Sequence, residues 1–283
     1  MTSRSAESAA QEHPAGEWPV VVDGRLTPGA AAAIPVLDDG LIRGDGAFDA
    51  FRLYAGRPFA MAAHLDRLER SCAALGIDCP RALVERDIAV LLEAAADRDA
   101  IVRCILTRGG RRLCLLETTG DREALTRPAV LHPVPYEPSL VLDGVKSLSY
   151  GANMLASRRA VEAGADEALL VRRDGTVLEG PTCSIFWVSG GRLRTPSLDT
   201  GILASITRGV LIERLDAEEG VFGLDDLQAA SEAFLASTGR EAQPIARVGQ
   251  AVLPAAPGPV TREAQAAFQQ AVLDDTGVRP KGR

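Results

Sequence analysis

One mid-chain lysine, Lys146, could act as a nucleophile. Of the 31 basic residues 29 are arginines, and the second lysine, Lys281, lies in the polar segment 279–283. Arginine stays protonated in proteins, whereas a desolvated lysine amine can lose its proton and attack a carbonyl carbon. We therefore interpret Lys146 as a Schiff-base lysine. Composition alone leaves a second interpretation open, in which Lys146 is a surface cation without chemistry.

The elements around Lys146 follow from apolar periodicity and turn residues. A short strand is predicted over 140–145, directly before the lysine. Helical spacing over 152–163 stops at Gly164. Two apolar runs on either side of Asp174-Gly175 predict a hairpin over 167–178. Lys146 and Glu179 thus each stand at the end of a predicted strand.

The first half of the chain alternates paired strands and helices. Helices are predicted over 61–75, ending at Gly76, and over about 81–95, with Leu83, Ile88, Leu91 and Leu92 facing inward. Strands are predicted around them at 18–22, 47–54, 101–107, 111–117 and 129–134. This alternation predicts an α+β fold. We expect a disordered leader over 1–17, a small domain over 18–135, a linker over 136–139 and a large domain over 140–283.

Composition excludes several classes of function. A net charge of −7 gives no basic patch for nucleic acid, and no apolar run approaches the ~20 residues of a membrane helix. Five scattered cysteines are explained by free thiols in a reducing cytoplasm. Because His13, His64 and His132 lie far apart and no cysteine has metal-ligand spacing, we expect no metal site.

Seven short segments, each present once, follow one another over about residues 18–275. They are Gly44-Asp45-Gly46, His64-Leu-Asp-Arg67-Leu, Lys146-Ser-Leu-Ser-Tyr150, Gly164-Ala-Asp-Glu-Ala, Glu179-Gly180, Ile206-Thr207-Arg208 and Glu232-Ala-Phe-Leu-Ala-Ser-Thr238. In this order and spacing they resemble the fold-type IV pyridoxal-phosphate enzymes, the class IV aminotransferases. That family includes branched-chain and D-amino acid aminotransferases, (R)-amine transaminases and aminodeoxychorismate lyase.

The resemblance implies a two-domain α+β fold like that of D-amino acid aminotransferase. A small N-terminal α/β domain would precede a larger C-terminal domain with a pseudo-barrel sheet. The cofactor would be pyridoxal 5'-phosphate. The assembly would be a homodimer, in which a loop from the partner's small domain completes each site.

The resemblance also implies which residues hold the cofactor. Lys146 would form the Schiff base and carry the proton, Glu179 would keep the ring nitrogen protonated, and Tyr150 would hydrogen-bond the phenolic oxygen. Arg52, an arginine in an apolar strand, matches the phosphate arginine. Ile206, Thr207 and Thr238 match the rest of the phosphate cup. Taken singly, Glu179 could be an exposed strand-end residue, Tyr150 a core tyrosine and Thr238 an ordinary cap. For His64 a structural role is favoured over catalysis, and Gly44-Asp45-Gly46 reads as a turn that shapes the site.

The substrate residues are less well defined. Arg103 lies in a strand with two apolar faces, so we expect it to be buried against a charge partner. Our hypothesis is that Arg43 and Arg103, from the same or neighbouring subunits, hold the substrate carboxylate, helped by Arg108, Arg111 or Arg112. Ion pairs with Asp45 or Asp49 are the alternative. Phe48 stands where D-amino acid aminotransferases have a substrate-binding tyrosine, and Ile185 and Ser205 replace a frequent asparagine and glycine.

These residues predict a transaminase that moves amino groups between D-amino acids and 2-oxo acids, with (R)-primary amines as further donors. The Lys146–Tyr150 and Asn153-Met-Leu-Ala segments look closest to the aminodeoxychorismate-lyase-like branch. That lyase, which releases pyruvate and 4-aminobenzoate, is therefore the alternative. Residues around the cofactor do not separate the two, because both enzymes use the same lysine and cofactor. A catalytically silent dimeric scaffold is the alternative from a different class.

Overall fold

The computed structural model describes residues 18–119 and 126–280 of the chain. The leader predicted for 1–17 and the second lysine, Lys281, lie outside the described residues. An antiparallel sheet and a mixed sheet, each with helices packed on it, confirm the α+β class. None of the helices in the described ranges has the length and apolar character needed to cross a lipid bilayer.

The first sheet has six strands, all paired antiparallel, in the order β2-β1-β6-β5-β3-β4. Their bounds are β1 Pro19–Val22, β2 Arg25–Pro28, β3 Gly46–Tyr54, β4 Arg57–Pro58, β5 Ala100–Thr107 and β6 Arg112–Glu117. A short helix, α1 Asp39–Ile42, precedes β3.

Strand β3 separates a core face from a site face because side chains alternate along a strand. On the back face, Phe51 and Leu53 are buried in a core formed with α2 Met61–Leu75 and α3 Arg81–Ala95. On the front face lie Phe48, Ala50 and Arg52. The helices cover one face of this sheet and leave the other free to face Lys146.

The bounds of α2 and α3 agree with the predicted helices, and α2 ends at Gly76 in a left-handed conformation with φ +63°. One inward-facing residue was predicted wrongly on α3. Leu83 is 37% exposed, while its neighbour Val84 is buried at 2%. The periodicity of α3 was right, but the choice between two adjacent apolar residues was not.

The second sheet has eight strands in the order β11-β10-β9-β12-β13-β7-β8, with β14 paired to β13. Their bounds are β7 Ala129–Pro135, β8 Glu167–Val171, β9 Ser184–Ser189, β10 Arg192–Pro196, β11 Ala217–Gly220, β12 Glu232–Ser237, β13 Glu241–Val248 and β14 Ala251–Val252. The helices of this half are α4 Gly151–Glu162, α5 Ile206–Arg214, α6 Leu224–Gln228 and α7 Pro259–Thr276.

Strand β7 was assigned on sequence to the small domain over 18–135, and this assignment needs correction. The strand pairs in parallel with β13 and β8, so it belongs to the second sheet. The switch between sheets therefore falls between Glu117 and Ala129. The predicted linker over 136–139 therefore lies after the first strand of the second sheet and not between the two sheets. The sequence did not indicate this, because β7 pairs with a strand more than 100 residues later in the chain.

The strand predicted over 140–145 is also absent. Residues Leu140–Leu142 form a turn of 3₁₀ helix, in which Leu140 is 88% exposed, and Gly144 has φ +68°. A left-handed residue cannot continue a strand, so the apolar run does not become extended before Lys146.

Two apolar cores lie on either side of the second sheet. Ile185 and Trp187 of β9 point into one, and Phe186 and Val188 point into the other. The second core also includes Phe268 of α7, Tyr54 of β3 and Phe59, which follows β4, so it joins the two halves. All five cysteines are free thiols, as predicted.

The packing of α3 can be tested with two identical substitutions. Leu91 is fully buried, so Leu91→Ala leaves a cavity and should lower the free energy of unfolding by about 2–5 kcal/mol. Leu83 is only partly buried, so Leu83→Ala should lower this free energy by about 1 kcal/mol or less. Urea unfolding of the two variants measures both values, and equal losses would contradict this placement of the helix.

Candidate active site

The segment that carries Lys146 is held against the free edge of β3. The amide of Phe48 donates to the carbonyl of Lys146 at 3.0 Å, and the amide of Leu148 donates to Gly46 at 2.8 Å. Ser147 thereby pairs antiparallel with Ala47. A Cβ on Gly46 would lie 2.5 Å from the side chain of Leu148, so this close approach requires glycine. The glycine turn predicted before β3 thus shapes the site.

The Lys146 amine lies among aromatic rings. Its Nζ is 4.5 Å from the ring centroid of Phe48 and 5.8 Å from that of Tyr150. Desolvation by burial and, next, the positive charge of Arg67 lower the pKa of Lys146 to about 8. Solvent still reaches part of the side chain. A ligand can therefore reach this desolvated amine.

Glu179 has the opposite perturbation. Burial raises its pKa to about 7, against the lowering effects of a hydrogen bond from the Leu203 amide and of the charge on Lys146. The Leu203 amide donates to Glu179 Oε1 at 3.1 Å. The structure therefore brings an amine and a carboxylate within electrostatic reach of each other, with both charged forms disfavoured by burial.

Tyr150 lies beside Lys146 and contacts the segment after Glu179. Its hydroxyl donates to the carbonyl of Pro181 at 2.6 Å, and the side-chain Nδ2 of Asn153 donates to the same oxygen at 3.0 Å. Burial raises the pKa of Tyr150 above its usual value, so its hydroxyl stays protonated at neutral pH. The tyrosine thus ties the start of α4 to the segment that follows Glu179.

The residues predicted for a phosphate come from three elements. Arg52 is buried, its Nη1 donates to Glu241 at 2.9 Å, and its Nε has no hydrogen-bond partner among the described residues. Thr238 Oγ1 donates to the carbonyl of Ala50, two residues before Arg52, at 3.3 Å. These contacts place the turn after β12 beside the front face of β3.

The third element is the start of α5. Ser205 is its N-cap, and the Ser205 hydroxyl accepts the amide N–H of Arg208 at 3.3 Å. Within the described residues, the amides of Ile206 and Thr207 donate to no protein acceptor. Two free N–H groups at a helix start favour an anion there.

Five arginines were predicted as candidates to hold a substrate carboxylate, and each pairs with an internal carboxylate. Arg111 pairs with Asp23 and Arg112 pairs with Asp87. The other three pair as follows. Arg43 pairs with Asp39 on the exposed helix α1. Arg108 pairs with Asp45 and also donates to the carbonyls of Leu75 and Gly76. Arg103 pairs with Glu117, and its guanidinium lies 4.8 Å from the Phe48 ring centroid. Of the three, Arg103 is the one whose guanidinium contacts the same ring as Lys146.

A buried ionic cluster behind β3 was not predicted from sequence. Asp49 accepts from Arg67 Nε and from His64 Nδ1, both at 2.7 Å, and these partners hold the pKa of Asp49 well below its usual range. Arg67 also donates to the carbonyl of Ala204, next to the residue that holds Glu179. The signal was an aspartate in an apolar strand opposite basic residues three apart on a helix.

An amine, a carboxylate and an anion cup on this α+β scaffold define an enzyme of the pyridoxal-phosphate class. The chain belongs to the class IV aminotransferases, since the model of that family matches residues 46–248. It is similar over its length to a fold IV transaminase structure from Curtobacterium pusillum, with 26% identity and a TM-score of 0.81. That match covers 89% of this chain and 98% of the other.

Relatives with different names are similar to this chain. A protein of Methanocaldococcus jannaschii, provisionally named a branched-chain-amino-acid aminotransferase, is 33% identical over 88% of this chain and 95% of its own length. The D-alanine aminotransferase of Bacillus licheniformis is 30% identical over 91% and 98%. The aminodeoxychorismate lyase of Bacillus subtilis is 28% identical over 89% and 94%.

Class IV aminotransferases use pyridoxal phosphate, and the residues described here fit that group. The buried unpaired Nε of Arg52 and the free amides at the start of α5 suit a phosphate. The lowered pKa of Lys146 suits an amine that must be unprotonated to react with an aldehyde.

The titration of Lys146 can be measured in the cofactor-free protein. Since the chain has two lysines, acetylation followed by peptide mass spectrometry reports each separately. We expect Lys146 to react with a pKa of about 8, because burial disfavours its charged form. A model peptide, in which the lysine pKa is about 10.4, is the reference. A matching titration of Lys146 and the peptide would contradict the desolvation of this amine.

Proposed function

We propose that this protein is a transaminase that moves an amino group between D-amino acids and 2-oxo acids, with (R)-primary amines as further donors. The observation that carries the proposal is the position of Lys146 Nζ beside the Phe48 and Tyr150 rings, together with a Glu179 carboxylate held by the Leu203 amide. Burial shifts the pKa of the amine down and that of the carboxylate up. The preference for D-amino acids rests on similarity to D-alanine aminotransferase along nearly the whole of both chains.

Bound pyridoxal phosphate supplies an aldehyde for the amine and an electron sink for the substrate carbon. In this proposal Lys146 anchors the cofactor, and its amine, once released, moves a proton between two carbons. Glu179 holds a proton at the ring nitrogen. A carboxylate with a pKa near 7 shares that proton readily, because acid and base are then closely matched.

The remaining cofactor contacts are proposed as follows. Tyr150 would donate to the phenolic oxygen, for which its one hydroxyl hydrogen has to turn away from the Pro181 carbonyl. Arg52, the amides of Ile206 and Thr207, and the Thr238 hydroxyl surround the phosphate. Of these four groups Arg52 alone is charged, and it already pairs with Glu241, so the two amides and the hydroxyl supply neutral donors to the phosphate.

On the substrate side, we propose that Phe48 and Arg103 line the site, with the Arg103 guanidinium paired to Glu117 rather than to the substrate carboxylate. Both lie on the front face, and Phe48 packs edge to face on Tyr150 at 5.4 Å. Arg43 and Arg108 lie further out, with side chains 68% and 40% exposed. For Arg43 and Arg108, we propose that contact with the substrate carboxylate occurs in the dimer and not within a single chain.

Aminodeoxychorismate lyase activity is the second candidate function. It is supported by 28% identity to the lyase of Bacillus subtilis over most of both chains. The Tyr150 hydroxyl and the Asn153 side-chain amide share one carbonyl acceptor, so the lyase-like Lys146–Tyr150 and Asn153 segments form one local structure.

We also propose a cytoplasmic homodimer. Five free cysteines support a reducing compartment. The dimer is supported by an apolar surface before β3 consisting of Val36, Leu37, Leu41 and Ile42, which are 73%, 80%, 58% and 51% exposed. This surface adjoins the turn after β5, because Thr107 Oγ1 donates to Asp38 at 2.9 Å. A second copy covering it would lie close to the Lys146 segment.

The activity is tested by single-turnover absorbance spectra of the holoenzyme with D-alanine, L-leucine and (R)-1-phenylethylamine. We expect D-alanine to discharge the bound cofactor fastest, and Lys146→Ala to lower the rate by about 10³-fold or more, since it removes both anchor and proton carrier. Pyruvate release from aminodeoxychorismate is followed in parallel. Fast discharge by L-leucine alone would contradict the D-preference, and pyruvate release alone would favour the lyase. A colourless protein that takes up no cofactor would contradict both enzymes.

The dimer is tested by sedimentation velocity. We expect twice the chain mass for the native protein and a shift to the monomer for Leu37→Asp with Leu41→Asp, because charges would enter the buried apolar interface. Val252→Asp, at a 73% exposed position on β14, is the matched control and should remain dimeric. A native monomer would disprove the assembly.

A further inference from the structure

We propose that Glu117 determines substrate specificity by masking Arg103, so that the site favours substrates whose side chain carries no second carboxylate. This inference rests on the proposed function and narrows it to monocarboxylic amino acids, their 2-oxo acids and uncharged amines. Neither residue type nor spacing suggested Glu117, which lies on a neighbouring strand and has no role in holding the cofactor.

The pair has the geometry of a two-point clamp. Arg103 Nε and Nη2 both donate to the Glu117 carboxylate, the second at 2.9 Å to Oε2. In the register of β5 with β6, Arg103 lies opposite Leu115 and Ile101 lies opposite Glu117, so the two charged residues are diagonal neighbours on one face. A two-point contact fixes the guanidinium plane as well as its charge.

The pair lies beside the reacting amine. The guanidinium carbon of Arg103 is 4.8 Å from the Phe48 ring centroid, and Lys146 Nζ is 4.5 Å from the same centroid. Both cations therefore contact the same aromatic ring. The side chain of a substrate bound at Lys146 would meet the surface on which Arg103 lies.

The rest of that surface is apolar. Ile101, Ile105, Leu113 and Leu115 share the front face with Arg103, because alternate residues of paired strands point the same way. On such a wall an unpaired guanidinium would attract a carboxylate strongly. Glu117 removes this attraction, since its own carboxylate occupies the donors that a second substrate carboxylate would need.

Displacing Glu117 would be unfavourable. Its side chain is 8% exposed, whereas that of Arg103 is 28% exposed. A dicarboxylic substrate that took over Arg103 would leave a buried carboxylate without a partner. The exposed pairs of Arg43 and Arg108 do not present this obstacle, because water can replace either partner.

The test measures binding without turnover. Glutarate and valerate, which have equal carbon chains and do not react, are titrated calorimetrically into the holoenzyme. In Glu117→Gln we expect the preference for glutarate over valerate to rise by about tenfold or more, the scale of one hydrogen bond to a charged group. The ratio of kcat/KM for 2-oxoglutarate to that for pyruvate should rise in parallel.

Matched variants test whether the change in preference comes from the pairing of Glu117 with Arg103. Asp87→Asn frees Arg112 from a pair of similar burial, and this pair joins β6 to α3 on the back face, so it should leave the preference unchanged. Arg103→Met combined with Glu117→Gln should abolish the gain, because no cation remains to be unmasked. Glu117→Ser, which leaves room for water at Arg103, is the second unmasking variant if Glu117→Gln does not fold.

An unchanged preference in a folded unmasking variant would overturn the inference, as would an equal gain in Asp87→Asn. If neither acid binds measurably, the kcat/KM ratio of the two acceptors decides in the same way. Failure of the proposed function looks different, since the native enzyme would then discharge no D-amino acid while the binding preference could still shift.

Discussion

The pairing of residues 146–148 with the start of β3 is the interaction on which the site depends. It fixes the backbone of Lys146 from one side, and the Ser71 hydroxyl of α2 accepts the Lys146 amide at 3.1 Å from another. The lysine is thus attached to the first sheet although Glu179 belongs to the second half. Because a Schiff base must form at a defined point, a fixed backbone leaves only the side chain to be positioned.

Burial also shifts the pKa values of the two reacting groups. Desolvation is the largest influence on both Lys146 and Glu179, and it favours the neutral amine and the neutral acid. Arg67 and Arg103 lower the pKa of Lys146 further, whereas Asp49 and Glu179 oppose them. The balance leaves both groups titrating near neutral pH, where a small change in surroundings on ligand binding can move a proton.

Helix bounds could be predicted from the sequence because they depend on residues that are close together in the chain. The helices over 61–75 and 81–95 have the predicted bounds, because apolar periodicity defines both and Gly76 ends the first. What failed depends on distant partners or on one backbone angle. The pairing of β7 with β13 and the partner of Arg103 are set by register across strands, and the positive φ of Gly144 converted an apolar run into a turn.

The buried cluster behind β3 shows how the two halves are kept in alignment. Arg67 donates to Asp49 on β3 and to the carbonyl of Ala204, while the neighbouring Leu203 amide holds Glu179. One turn further along α2, Ser71 holds the amide of Lys146. A single helix face therefore contacts the segments of both reacting groups. A buried ion pair contributes little net stability compared with apolar packing, but it is specific in geometry. Retaining charge at this point makes sense if the separation of Lys146 and Glu179, rather than stability, is what the cluster maintains.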